Sequence, residues 1–318
     1  MSPSVWSLIV RPHFSHIVPR GLELSKAREL LTPGGCQFQK ESPMSAVLQP
    51  SAANHAKAFN APASASAPLA RRFAQNGFLS IDSLTTLTDI ARIRSLLDPL
   101  FERFDTLGER AVDIAGPRAP GEALRSPEIN EAVKLLPELR DTQVYKRCRQ
   151  IARQLIGAPV GYTYDHAIYK LPHNDTATDW HQDEAYSARP LPLRSAHFWI
   201  PLQDVSPENG CMWFIPGSNL GGVREHFVAA LRTSGPDCKP AGATIATADV
   251  DRDSAVACPL QAGGVTVHHP LTLHYTGPNQ TADWRRVWIL HFGAYGRLRM
   301  RFHPKMLAAK IHDMTFGT

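Results

Sequence analysis

The sequence predicts a mainly β fold, a sandwich or barrel of short strands backed by helices that precede it. Three observations lead there. Apolar residues recur at helical spacing between Ile90 and Phe104 and again between Tyr145 and Leu155. From Val160 onward strict alternation replaces that spacing. Clusters of Pro, Gly, Asn and Ser then punctuate the second half at short intervals. A chain of 318 residues with 43% hydrophobic and 20% charged content also buries a sizeable core without disulfides or a structural metal.

The elements follow in order. Residues 1–68 are rich in Pro, Ser, Ala and Gly, and 61–67 is nearly all small residues plus Pro. Such a segment buries too little to offset its ordering entropy, so it is expected to be a disordered extension, with the folded domain over 69–318. Arg11, Arg20, Lys26 and Arg28 leave a targeting role open, Glu23, Glu29 and Glu41 weigh against it, and a start at Met44 is an equal alternative. Residues 73–81 read as a short helix end and a strand. Ile90, Ile93, Leu97, Leu100, Phe101 and Phe104 then share one helical face, with Thr88 or Asp89 as cap and Pro99 marking a kink or the last turns. A second long helix is expected over 142–156, with Tyr145, Cys148, Ile151, Ala152 and Leu155 on one face and Gly157 as its stop. Tyr162, Tyr164, His166, Ile168 and Lys170 alternate as a strand. Further β-rich runs lie at 196–202, 212–215, 265–267, 271–273 and 285–292, separated by turns at 207–210, 216–218 and 277–279.

Composition excludes several partners. Six Lys/Arg against three Asp/Glu fall in residues 1–60, so more than half of the net +5 sits there. No basic stripe interleaved with aromatics remains to track phosphates, and no nucleic acid partner is expected. No apolar run approaches the ~18 residues of a membrane span, so no membrane partner is expected either. Cys36, Cys148, Cys211, Cys238 and Cys258 are odd in number and widely spaced without a CxxC pair. That excludes a disulfide framework and a finger-type zinc site and fits a reducing cytoplasm.

The chemistry is carried by Trp180-His181-Gln182-Asp183 and, 93 residues after His181, by His274. A mononuclear Fe(II) oxygenase needs two neutral imidazoles and one carboxylate on one face of the metal, with three positions left open. His and Asp two apart on one strand point to the same side, and a distant strand supplies the third ligand. Alone, His-x-Asp is weak: His173-Asn174-Asp175 repeats it and reads as a solvated loop. Arg285, 11 residues after His274, changes the weight of the pattern. Starting a strand beside the metal, its guanidinium suits bidentate pairing with the distal carboxylate of 2-oxoglutarate, and Thr276, on the same face as His274, can donate a hydroxyl to it.

In order along the chain, Phe73-Ala74-Gln75-Asn76-Gly77-Phe78, Trp180-His181-Gln182-Asp183, Glu208-Asn209-Gly210-Cys211-Met212, Ile215-Pro216-Gly217-Ser218, His274-Tyr275-Thr276-Gly277-Pro278-Asn279 and Arg285-Arg286 resemble the phytanoyl-CoA dioxygenase family of Fe(II)/2-oxoglutarate enzymes, over about 71–302. The resemblance implies a double-stranded β-helix, a cupin-like jelly roll, in which His181, Asp183 and His274 match the iron ligands and Arg285 the 2-oxoglutarate arginine. By position it also implies cosubstrate contacts for Trp199 and His166. Lys170-Leu171-Pro172-His173 departs from the family's Lys-Pro-Pro-Gly and leaves the role of Lys170 open. Arg286 faces away from the site and reads as structural. Asp183 is a carboxylate where the related halogenases carry a small residue.

The expected function is therefore a dioxygenase taking Fe(II), 2-oxoglutarate and O₂ and hydroxylating an unactivated C–H bond of a small-molecule substrate, with succinate and CO₂ released. A cupin-like metal-dependent hydrolase or isomerase is the alternative, and Arg285 discriminates, since such an enzyme has no need of it. His268, His269 and His291 read as supporting residues and Tyr186 as a loop aromatic.

Overall fold

The structure, a computed structural model, describes residues 69–116, 122–187, 194–228 and 245–294. The expectations for 1–68, with Met44 and Cys36, lie outside the described residues, as does Cys238. The helices are α1 (Leu69–Asn76), α2 (Leu87–Glu102), α3 (Ala132–Leu135) and α4 (Gln143–Ile156). The strands are β1 (Phe78–Ile81), β2 (Ala111–Asp113), β3 (Pro127–Asn130), β4 (Gly161–Lys170), β5 (Thr178–His181), β6 (Arg194–Pro201), β7 (Met212–Phe214), β8 (Phe227–Val228), β9 (Ile245–Ala246), β10 (Val256–Cys258), β11 (Val265–His268), β12 (His274–Thr276) and β13 (Arg285–Ala294).

Both long helices form where the apolar spacing placed them. Thr142 caps α4 and Gly157, left-handed at φ 68°, ends it. Pro99 lies in the last turns of α2, which ends at Glu102. The cap of α2 is Thr86, not Thr88 or Asp89: its hydroxyl accepts the Asp89 N–H at 3.2 Å. Asp89 is spent on a longer link. Its buried carboxylate accepts from Thr85 Oγ1 at 2.8 Å, from Gln143 N at 3.0 Å and from Val144 N at 2.9 Å. The last two are opening amides of α4, which have no partner inside their own helix. Asp89→Ala is expected to lower the unfolding free energy by about 3 kcal/mol, seen as a lower urea midpoint at unchanged slope. A loss below ~1 kcal/mol would mean that those amides are satisfied some other way.

The strands form a seven-stranded sheet, in the order β1-β11-β6-β13-β4-β3-β2, and a four-stranded sheet, in the order β10-β7-β12-β5. The pairings are antiparallel, and β8 pairs with β9 apart from both sheets. This is the jelly roll that the sequence predicts, with the helices laid on one side. Alternation along β13 separates two cores. Trp288, Leu290 and Phe292, with Phe198 and Ile200 of β6, pack against Ile93, Leu97, Val144 and Cys148 of the helices. Val287 and Ile289, with Trp199 of β6, face Phe214 and Tyr275 from the four-stranded sheet and Leu273 just ahead of it. Each fully buried side chain of this size contributes roughly 1.5–3 kcal/mol.

The inward face of the large sheet also carries polar rungs, fixed by register. Arg285 pairs across with Lys170, Ile289 lies between His166 and Trp199, and His291 lies between Tyr164 and His197. One expected strand is absent. Residues 271–273 form a turn, in which Thr272 N–H donates to His269 O (2.8 Å) and Leu271 N–H to His269 Nδ1 (3.1 Å), so β12 starts only at His274. Those local hydrogen bonds outcompete the strand propensity of Leu271 and Leu273. Cys148, Cys211 and Cys258 are free and buried. No helix among the described residues is long and apolar enough to cross a membrane.

Candidate metal centre

The last residue of β5 and the first of β12 are register partners, His181 and His274, and their rings lie 4.1 Å apart, centroid to centroid. Asp183 is not on the strand with His181, because β5 ends there and Asp183 opens a 3-10 turn. Gln182 between them is extended (φ −122°, ψ 129°), which carries the alternation one residue further and keeps His181 and Asp183 on one side. Gln182 itself is fully buried and held from several directions. Its Nε2 donates to Gly222 O (2.8 Å) and Leu271 O (2.6 Å), and its Oε1 accepts from Arg224 N (2.7 Å).

Three ligand atoms, one each from His181, Asp183 and His274, lie within 4.8 Å of one another. His181 Nδ1 bonds Asp179 O at 2.7 Å and His274 Nδ1 bonds Thr272 O at 2.9 Å. A carbonyl only accepts, so both Nδ1 atoms carry the proton and both Nε2 atoms present a lone pair. Each Nε2 stands 3.4 Å from the same carboxylate oxygen, Asp183 Oδ1. The other oxygen, Oδ2, accepts from His197 Nδ1 at 2.6 Å and His268 Nε2 at 2.9 Å. Because the Asp183 carboxylate only accepts, His197 carries a proton on Nδ1, and the Ser195 hydroxyl meets its Nε2 at 3.1 Å. Asp183 therefore turns one oxygen to the two imidazoles and has its second one tied. Burial alone would push its carboxyl pKa up, but the surrounding histidines, with the hydrogen bonds that His197 and His268 donate to Oδ2, hold it well below the usual range. Burial, then His181, pushes His274 down to about 4, so it is neutral and ready to ligate. A His₂-carboxylate set with free Nε2 lone pairs suits Fe(II).

The facing sheets around the triad carry the other predicted residues. Arg285 is buried at 2% exposure, and its Nε and Nη1 have no hydrogen-bond partner. Its guanidinium carbon lies 5.6 Å over the Trp199 ring. Thr276, two residues beyond His274 on β12, is buried, and its hydroxyl is 3.2 Å from Lys170 Nζ. A buried guanidinium with idle donors needs an anion, as a cosubstrate carboxylate would supply. His166 stands apart, two rungs from Arg285. Its Nδ1 pairs with Glu128 and its ring packs edge-on against His291 at 5.5 Å. Tyr186 meets the His181 ring edge-on at 5.9 Å. Arg286 points to the outer side, onto Asp98 at 3.5 Å and the Tyr169 ring.

Sequence reasoning missed His197, assigned no part to Gln182 within the metal motif and left the role of Lys170 open. One signal for His197 was available: Ser195 and His197 are polar residues at alternate positions in an otherwise apolar run.

A sequence model described as phytanoyl-CoA dioxygenase (PhyH) matches residues 73–287. Among solved structures, EvdO2 from Micromonospora carbonacea var. aurantiaca, in complex with 2-oxoglutarate, is 32% identical with a TM-score of 0.59, over 71% of this chain and 89% of its own. The phytanoyl-CoA dioxygenase domain-containing protein 1 of Mus musculus is 32% identical over 124 residues, 39% of this chain and 42% of its own length. The L-proline trans-4-hydroxylase of Streptomyces griseoviridis is 30% identical over 164 residues, 45% of this chain and 58% of its own. The matched part thus spans about two fifths of the first curated relative and under three fifths of the second. The family match takes in β1 through the start of β13, with His181, Asp183, His274 and Arg285 inside it, and the chain belongs to the phytanoyl-CoA dioxygenase family.

Proposed function

We propose that this chain is a non-haem Fe(II)/2-oxoglutarate dioxygenase that hydroxylates a C–H bond of a small molecule. His181, Asp183 and His274 hold Fe(II), Arg285 and Thr276 hold the distal carboxylate of 2-oxoglutarate, and Trp199 walls the cosubstrate site. The observation that carries the reading is the coexistence, between the same two sheets, of a His₂-carboxylate triad and a buried guanidinium with idle donors. A hydrolase or isomerase on the same metal has no use for the second. Fe(II) and 2-oxoglutarate together supply the activation of O₂, with the substrate gaining a hydroxyl and the cosubstrate leaving as succinate and CO₂.

The chain's own residues bind, orient and exclude water. Asp183, tied at Oδ2, would offer a metal its other oxygen only. Val287, Ile289 and Phe214 keep the surroundings apolar, which strengthens the pull of Arg285 on a carboxylate. His166, committed to Glu128, and Tyr164 lie further along the same face and suit the substrate rather than the cosubstrate. The hydroxylation reading draws on the proline hydroxylase relative. The buried thiols of Cys148, Cys211 and Cys258 favour a reducing compartment such as the cytoplasm.

Titration of 2-oxoglutarate into anaerobic Fe(II)-loaded protein is expected to raise a visible metal-to-ligand charge-transfer band. His181→Ala is expected to abolish it, and Arg285→Ala to require at least roughly thirtyfold more 2-oxoglutarate. Stoichiometric iron binding without a band would move the assignment to a metal-dependent hydrolase or isomerase.

A further inference from the structure

We propose that Lys170 is the second cation of the cosubstrate anchor and sets its preference for an oxoacid with a distal carboxylate. The inference rests on the dioxygenase reading. Lys170 closes β4, faces inward with no exposure, and is the direct cross-strand partner of Arg285. Two buried side-chain cations thus sit side by side, and among the described residues no carboxylate pairs with either. The exposed Asp179 acts on Lys170 only from a distance. Burying one unpaired charge costs several kcal/mol, and a like charge next to it adds repulsion. A fold that keeps both is arranged for an anion that arrives from outside.

The hydrogen bonds say where that anion sits. Lys170 Nζ reaches Gly277 O at 2.8 Å and Thr276 Oγ1 at 3.2 Å. As the ammonium that a bound carboxylate favours, Lys170 has three donors and no acceptor, so Thr276 then accepts from it and its own O–H is left to donate elsewhere. The idle donors are then the Thr276 hydroxyl, the third Nζ–H, and Nε and Nη1 of Arg285. Thr276 links Lys170 to the metal side, since it bonds Lys170 Nζ and lies two residues from His274 on β12. A carboxylate offers about four lone-pair sites, which matches this donor set. Burial, and then the charge of Arg285, pulls the Lys170 pKa well down. The empty anchor therefore disfavours the ammonium, and a bound carboxylate restores it.

The competing account makes Lys170 a prop for the turn at Gly277, with no bearing on the ligand. Selectivity separates the two. Affinities of the anaerobic Fe(II) protein for 2-oxoglutarate and for 2-oxovalerate, which keeps the chelating oxoacid end and lacks the distal carboxylate, are read from the charge-transfer band. In Lys170→Met the preference for 2-oxoglutarate is expected to fall about tenfold or more, with 2-oxovalerate binding unchanged. An equal loss for both ligands, or no change in their ratio, overturns the proposal. Thr276→Val keeps Lys170 and the turn, so it serves even if Lys170→Met does not fold. It is expected to cut the same ratio, and an unchanged ratio there overturns the donor set. A wild-type protein that binds Fe(II) and shows no band with 2-oxoglutarate overturns the dioxygenase reading itself, a result distinct from a normal band with an unaltered Lys170→Met ratio.

Discussion

Asp183→Ala is expected to lower Fe(II) affinity by more than about a hundredfold, measured by competition with a chelator of known strength. The side chain does two jobs at once. Its Oδ1 faces His181 and His274, at 3.4 Å from each Nε2, and its Oδ2 gathers the N–H groups of His197 and His268. Alanine removes the anionic ligand and leaves two buried imidazole donors without an acceptor, in a site where lost hydrogen bonds are costly. His197→Phe is the informative companion. It keeps all three ligands and removes one tie on Oδ2, and it is expected to cost about ten- to a hundredfold. Equal losses in the two variants would mean that the ties, not the ligand oxygen, hold the metal. The pH dependence follows from the same geometry. His274 is pushed down to about 4 by burial, and Asp183 is held well below the usual carboxylate range, so neither holds a proton for iron to displace above about pH 5. The share of iron affinity due to these two ligands stays flat from neutral pH to that point, and falls as the pH drops through 4 and His274 protonates.

Gly210→Ala is expected to cost about 2–4 kcal/mol of stability and to weaken 2-oxoglutarate binding along with it. Gly210 follows the 3-10 turn Pro207–Asn209 with φ +83°, where an L side chain is strained. A Cβ there would also stand 2.5 Å from Gly277 O and 3.2 Å from Pro278 O, both backbone atoms that cannot swing aside. Gly277 O is the acceptor of Lys170 Nζ, so a displaced turn shifts Lys170 and, through it, the Thr276 hydroxyl. Gly157→Ala is the matched control. That residue is also left-handed, at φ +68°, but a Cβ there meets nothing within 4 Å. It is expected to cost only about 1 kcal/mol and to leave the charge-transfer titration unchanged. Equal losses at the two positions would show that backbone strain alone, and not the contact with Gly277, sets the cost.

The parts of this architecture that could be read from sequence are those with a period. The α2 and α4 faces repeat over several turns, and β4 alternates over ten residues, so both survive one or two misplaced positions. β2, β3 and β10, of three or four residues each, are too short to establish alternation. They are held by neighbours: Glu128 and Ile129 become a strand because β4 lies alongside. His181, Asp183, His274 and Arg285 were legible because few chemistries need those types together. The residues that serve them were not. His197 and Lys170 look like ordinary polar positions in strands, and their importance comes from register alone, which puts His197 against His291 and Lys170 against Arg285. Alternation places Asp183 on a strand with His181, whereas a single extended residue, Gln182, suffices to keep both on one side.

The place of β13 has a consequence for how the protein is made. It is the fourth of seven strands in space and the last of them in sequence, lying between β6 and β4. A nascent chain that has already extruded β4 and β6 holds two long strands with open edges and nothing to join them. Such edges invite pairing with other chains until the missing strand arrives. The residue that opens that strand is Arg285, so the sheet closes in the same event that installs the guanidinium proposed as the cosubstrate anchor, and chains that stall before it carry both a vulnerable edge and an unfinished site.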